Sequence, residues 1–382
     1  MRTSLGHSLT SLSLLAALLW LGSCGGGDAR FEFAEGTPAD VGMNAATLEG
    51  ARTYAFAEGR NTQAVVVVRR GTVVAEWYAD GRDASSRGAS WSVGKSFASA
   101  LVGIAIDRGD IPSLDEPMTT YIPEWEGTDK EGMRLLDVME MASGLEWNED
   151  YDPGAASSSD VIDLVLDASG SLLSVVLDNE VTAPPGTRFN YSSGDAMLLG
   201  RVIRVATGMS AGEYAREHLF DPLGIEDAAW WRDRTGDTLT FCCVDMPSRD
   251  FARFGQLFLE GGRLGGRRIL SEEWVTASTS PSRSYEGYGY MWWLMGNTDV
   301  GVPADLYAAL GHDGQYIYVI PSLELVVVRN GWYVPYLGDT VADPSLFGRY
   351  PSDGIIPSRG TRPPDEWDDA AFLAPIVNSI TD

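Results

Sequence analysis

Residues 92–107 read SVGKSFASALVGIAID. Phe97 to Asp107 form an apolar helical run, and Ser92 and Lys95 stand just before it. A serine and a lysine three apart on a helix project from one face, one turn apart, so the ammonium can reach the serine oxygen. A lysine that is desolvated or held near other cations can lose its proton and act as a base. A serine at a helix N-terminus gains from the positive end of the helix dipole as it becomes negative. Taken alone the S-x-x-K pattern is weak, and a solvated lysine on a helix competes with it. Gly94-Lys95-Ser96 also imitates the end of a phosphate-binding loop, but that motif requires a glycine where Ala89 stands.

Two further segments carry polar groups that could face a cleft. The first is Pro184-Pro185-Gly186-Thr187-Arg188-Phe189-Asn190-Tyr191-Ser192-Ser193-Gly194, a turn-rich loop before a helix. Taken alone, its tyrosine reads more readily as a ring packed under a loop. The second is Gly311-His312-Asp313-Gly314-Gln315, running into a strand. Glycines there let a backbone approach a ligand closely. A Ser92/His312/Asp313 triad is conceivable, but adjacent side chains on a strand point to opposite faces. The sequence therefore argues against Asp313 orienting His312.

Further outward, Asn44 is a plausible N-cap for a helix to about Glu58, and 64–69 and 72–78 read as strands around an Arg70-Gly71 turn. Strand-like runs return at 306–310, 316–320 and 323–328. Between them, 96–270 reads mainly as helices and loops, among them 97–107, 135–141, 196–206, 211–219 and 251–260. Strands, a long helical insert and strands again fit one sheet built from both chain ends with a helical domain inserted. A site is expected in the cleft between them.

The chain has 382 residues, 54 acidic against 28 basic, and a formal net charge of −26. Apolar residues make up 44% and charged ones 21%, a globular balance. The acidity and the lack of a basic run argue against nucleic-acid or anionic-membrane partners. Only Lys95 and Lys130 are lysines, and only His7, His218 and His312 are histidines. Three cysteines and so few histidines leave little for a metal site, and none is expected.

Arg2 and the apolar run 12–21, too short for a membrane span, read as an export signal. It ends in Leu21-Gly22-Ser23-Cys24, which resembles a bacterial lipobox; an ordinary secretory signal is the alternative. The expected layout is a signal peptide over 1–23, a flexible tether over 24–37 with Cys24 lipidated, and one domain over 38–382. The expected location is the bacterial cell envelope, facing the periplasm or exterior, with membrane contact only through the lipid. Cys242 and Cys243 are adjacent, closer than the usual disulfide range of roughly 4.4–6.8 Å between Cα atoms, and are expected as buried thiols. Residues 351–364 read as a loop before a last helix containing Pro375.

Ser92-Val93-Gly94-Lys95, Tyr191-Ser192-Ser193 and His312-Asp313-Gly314, in this order and at these separations, resemble the three motifs of serine β-lactamase-related hydrolases, the class C β-lactamase and DD-peptidase superfamily. Residues 91–125 and 135–145 and Pro222-Leu223-Gly224-Ile225 agree with it. Residues 288–293 and 314–318 most resemble the 6-aminohexanoate-dimer hydrolase and esterase branch. The resemblance implies an α+β, β-lactamase/transpeptidase-like fold. Its antiparallel sheet, from about 38–90 and 285–382, is flanked by helices, with an all-α insert over about 96–284. It implies Ser92 as nucleophile, Lys95 as base or electrostatic partner, and Tyr191 exchanging protons with the leaving group. Backbone N–H groups of Ser92 and Gln315 would form the oxyanion hole, with His312, Gly314 and Ser193 in the substrate site. No cofactor is needed. Penicillin-directed relatives usually carry lysine where His312 stands, and many carry asparagine where Ser193 stands. Both departures favour small esters or amides as substrates. The alternatives are a β-lactamase or DD-carboxypeptidase, and a non-catalytic lipoprotein that binds a cell-wall ligand. Trp91, Trp292 and Trp293 either line an acyl pocket or belong to the core.

Overall fold

The computed structural model describes residues 31–149, 160, 171–233, 235–331 and 367–382. The export signal, Cys24 and the 351–364 loop lie outside them. Among the described residues the strands in chain order are β1 (Ala34–Glu35), β2 (Thr62–Arg69), β3 (Thr72–Tyr78), β4 (Arg87–Ala89), β5 (Ala229–Trp230), β6 (Val244–Pro247), β7 (Arg263–Leu264), β8 (Arg267–Arg268), β9 (Trp293–Leu294), β10 (Tyr307–Gly311), β11 (Gln315–Ile320) and β12 (Leu325–Gly331). The longer helices are α1 (Ala45–Ala55), α2 (Val93–Arg108), α3 (Leu172–Asp178), α4 (Ser193–Thr207), α5 (Ser248–Leu259), α6 (Glu272–Ser278) and α7 (Asp369–Asn378).

Seven strands form the main sheet in the order β1-β3-β2-β12-β11-β10-β9. All pairs are antiparallel except β1 with β3. The N-terminal strands meet the C-terminal ones where β2 pairs with β12, Val66 opposite Val328. The sheet is thus built from both chain ends, as expected. Central β2 is buried at every position because both faces are covered. Its side chains alternate between faces. Val66 and Val68 join the large core with α2 and α5, whereas Val65 and Val67 join a smaller core with α1 and α7.

Asn44 caps α1 by accepting from Thr47 N–H at 3.0 Å. The helix ends at Ala55, one turn before the expected end. Helix α7 runs through Pro375 rather than stopping before it. Residues 31–37, expected in the tether, belong to the fold: Phe33 is buried and β1 pairs with β3. Among the described residues of 96–284, helices and loops are joined by the short strands β5 to β8, so the insert is not purely α. Strands β4, β6 and β5 make a small second sheet, and β4 leads directly into the Ser92 turn.

Candidate active site

The turn from β4 to α2 presents Ser92. Trp91 takes a left-handed φ of +44°, uncommon for a bulky residue, and Ser92 follows as the N-cap of α2. The turn is held on both sides. Ser90 Oγ accepts from Val244 N–H at 2.7 Å, and Trp91 C=O accepts from Gly94 and Cys243 N–H at 2.9 and 3.3 Å. Gly94 is required by space: a Cβ there would sit 2.7 Å from the Cys242 carbonyl carbon. Helix α2 is buried along most of its length, which fixes its first turn rigidly in the large core.

Lys95 is 1% exposed, and its Nζ donates to Ser92 Oγ at 2.8 Å, Ser193 Oγ at 3.0 Å and Phe241 C=O at 3.0 Å. Burial pulls its pKa down to about 8, against the opposing charge of Glu149. Tyr191 hydrogen-bonds Ser92 through its hydroxyl, and Lys95 Nζ lies 5.0 Å from its ring centre. Burial raises the Tyr191 pKa, and Glu149 raises it further. The three residues expected to carry the chemistry therefore meet. The Tyr191 segment is placed by its own neighbours: Asn190 N–H donates to Met141 C=O at 2.8 Å, and Ser192 caps α4 through Asp195 N–H at 2.9 Å. Asp195, buried and pushed up to about 7, accepts from Ser143 Oγ at 2.6 Å and ties α4 to that loop.

Opposite Ser92 stands the turn between β10 and β11. A Cβ on Gly311 would lie 2.3 Å from Ser90 O and 3.2 Å from Ser92 N, so only glycine lets β10 come this close to the nucleophile backbone. His312 is partly exposed, with its ring 6.1 Å from that of Trp91. Its Nε2 lies 3.3 Å from Asp313 Oδ1, so the sequence argument that this pair faces apart fails. The segment is a turn, not a strand, and Asp313 has φ +61°, which brings the two side chains together. The partners on Ser92 are nonetheless Lys95 and Tyr191. Buried Arg329 donates to the carbonyls of Gly314 at 2.8 Å and Asp313 at 3.3 Å. Gln315 opens β11 opposite Gly311, and its amide donates to Gly331 C=O at 2.7 Å, away from the site.

Aromatic rings flank Tyr191: Trp293 at 5.4 Å and Tyr288 at 6.1 Å between ring centres. Trp293 and Trp91 are partly exposed, whereas Trp292 is fully buried and belongs to the core. Cys242 and Cys243 are joined as a vicinal disulfide, contrary to the expected thiols. The chain turns there, with Cys243 at φ +71°, and so closes a ring that Cα spacing alone argues against. Sequence reasoning missed Phe241, Arg329 and Glu149. Glu149 accepts from Ser193 Oγ at 2.6 Å and Ser193 N–H at 2.9 Å, and from Trp147 Nε1–H.

The Beta-lactamase family profile matches residues 51–331, from before β2 to the end of β12. The chain belongs to that family. It is a β-lactamase-fold serine hydrolase. Among curated relatives it is similar to the 6-aminohexanoate-dimer hydrolase of Paenarthrobacter ureafaciens, 27% identical over 307 residues, covering 72% of this chain and 74% of that one. A solved Bacillus anthracis protein named as a 6-aminohexanoate-dimer hydrolase has 25% identity and a TM-score of 0.66, covering 79% of this chain and 82% of its own. A family VIII carboxylesterase shares the fold at 17% identity and a TM-score of 0.57, covering 75% and 90%.

Proposed function

We propose that this protein hydrolyses small esters or linear amides through an acyl-enzyme on Ser92. Neutral Lys95 takes the Ser92 proton as Oγ bonds to the substrate carbonyl carbon, and the carbonyl electron pair moves to oxygen. Backbone N–H groups of Ser92 and of the 311–315 turn receive that oxyanion, pre-aimed by α2 and by Arg329. Collapse expels the alcohol or amine, which takes a proton through Tyr191. Water then attacks the Ser92 ester, giving up a proton to the same pair, which passes it to Ser92 Oγ as the C–O bond breaks and the acid leaves. The observation that carries this reading is Lys95: a fully buried amine on Ser92 Oγ with its pKa drawn toward neutrality. Burial favours the free-base form of Lys95 that the step needs, while burial keeps the phenol beside it protonated.

The substrate class rests on His312, partly exposed on the opposite wall where a lysine would meet a carboxylate, and on the rings of Trp293 and Tyr288. The similarity to the Paenarthrobacter 6-aminohexanoate-dimer hydrolase supports the same class. The reading extends to export and lipidation at Cys24, supported by the sequence of residues 12–27. The test assays the protein and Ser92→Ala on p-nitrophenyl esters, a linear aminohexanoate dimer and a chromogenic cephalosporin. Ester or dimer turnover that the variant loses is expected. Dominant cephalosporin turnover would reassign the enzyme to β-lactams. No turnover, with no fluorophosphonate adduct on Ser92, would leave a binding protein. Mass spectrometry of the membrane fraction shows whether Cys24 carries lipid.

A further inference from the structure

The hydrogen-bond network around Lys95 has a direction. Phe241 C=O can only accept. Ionised Glu149 also only accepts, so the 2.6 Å contact requires Ser193 to point its single hydroxyl proton at Glu149. Toward Lys95, Ser193 Oγ is then an acceptor. A neutral lysine has two N–H bonds and one lone pair. Its two N–H bonds go to Phe241 O and Ser193 Oγ, and the remaining partner, Ser92 Oγ, faces the lone pair. Without an acceptor-only group behind it, the Ser193 hydroxyl could rotate and donate to Lys95, taking the lone pair away from the nucleophile.

We propose that Glu149 is a positioning residue that fixes the Ser193 hydroxyl and thereby aims the lone pair of neutral Lys95 at Ser92 Oγ. The inference rests on the acyl-enzyme reading and deepens it. It settles the order of proton transfer: the Ser92 O–H bond breaks toward Lys95 as Oγ bonds to the carbonyl carbon, while Tyr191 keeps its proton for the leaving group. Among the described residues, the titratable groups packed about Lys95 are Tyr191, from the loop before α4, and Glu149, from the segment after Trp147; Tyr288 backs the far side of the Tyr191 ring. Phe241 contributes a ring and a carbonyl, and α2 itself contributes Ser92. The charge of Glu149 also favours the lysine ammonium.

Because the chain holds only two lysines, the test can be spectroscopic. Full-length protein carrying side-chain-labelled lysine gives two signals, and Lys130→Arg identifies that of Lys95. Removing a nearby opposite charge in Glu149→Gln should lower the Lys95 midpoint by about one pH unit. The acid limb of kcat/KM on a p-nitrophenyl ester should move down with it, and its plateau should fall about tenfold. In a Ser193→Ala background, Glu149→Gln should leave the plateau unchanged, because the relay is already cut. Glu149→Asp, which keeps the charge, should hold the midpoint near that of the wild type and guards against a folding defect in the glutamine variant. A midpoint that ignores Glu149→Gln, with plateau losses that add in the Ser193→Ala background, would overturn the inference and leave Glu149 as a loop anchor. Failure of fluorophosphonate to label Ser92 in the wild type would instead overturn the acyl-enzyme reading, and this inference with it.

Discussion

On the helical side of the site, Ser92, Lys95 and Ser193 meet side chain to side chain, and every donor of the Lys95 ammonium has an acceptor. On the sheet side, the 311–315 turn brings backbone to Ser92, held from behind by Arg329 and by the Gln315 amide. The helical wall does the proton chemistry and tolerates little change, because a buried polar network fails once one member is unsatisfied. The sheet wall positions a backbone and exposes one side chain, His312. That wall can change its substrate preference by one substitution while the base stays in place.

Lys95→Arg breaks the helical wall with the largest expected effect. Arginine keeps the charge but not the removable proton, so kcat should fall about 10³-fold if Lys95 is the base. The wild-type profile carries the matching signature. The active form is the neutral amine, so kcat/KM should rise with pH and level off above a midpoint near 8. Undiminished activity in Lys95→Arg, or a limb that stays where it was, would remove the base assignment.

Arg329→Met strikes the sheet wall. It strips the donor from the carbonyls of Arg60, Asp313 and Gly314 in a buried place. Leaving such acceptors unpaired should lower the unfolding free energy by about 3 kcal/mol, read by chemical denaturation. Turnover should fall too, as the turn that faces Ser92 loses its support. The labelled Lys95 signal should keep its midpoint, because none of the lost bonds touches the lysine. A shifted midpoint would show that the two walls are one network.

The same division explains what the sequence made legible. Ser92 and Lys95 share one helical turn, and Tyr191 with Ser193 opens another helix, so each pair is visible in a few adjacent letters. The sheet was readable from its two groups of β-branched runs, β2 with β3 and β10 to β12, at opposite ends of the chain. Glu149 was not legible, because it reaches Ser193 across 44 positions and no local pattern marks an acidic residue in a loop. The readings of His312–Asp313 and of Cys242–Cys243 failed for a common reason. The first assumed a strand and the second rested on Cα spacing alone, and each pair includes a residue at positive φ, Asp313 or Cys243, that a sequence pattern does not announce.

His312→Lys should have the smallest effect and is the most informative about specificity. His312 is partly exposed, so a new ammonium there stays solvated and its pairing with a substrate carboxylate is worth up to about 1 kcal/mol, roughly fivefold in kcat/KM. Neutral p-nitrophenyl esters should be turned over almost as before, because neither the Ser92 turn nor the Lys95 network is touched. A chromogenic cephalosporin, which carries a carboxylate, should gain, and the gain should shrink as salt is added. Equal gains on both substrates would mean that His312 acts on the reaction centre itself. The pairing of His312 with Asp313 would then be catalytic rather than a feature of the binding wall.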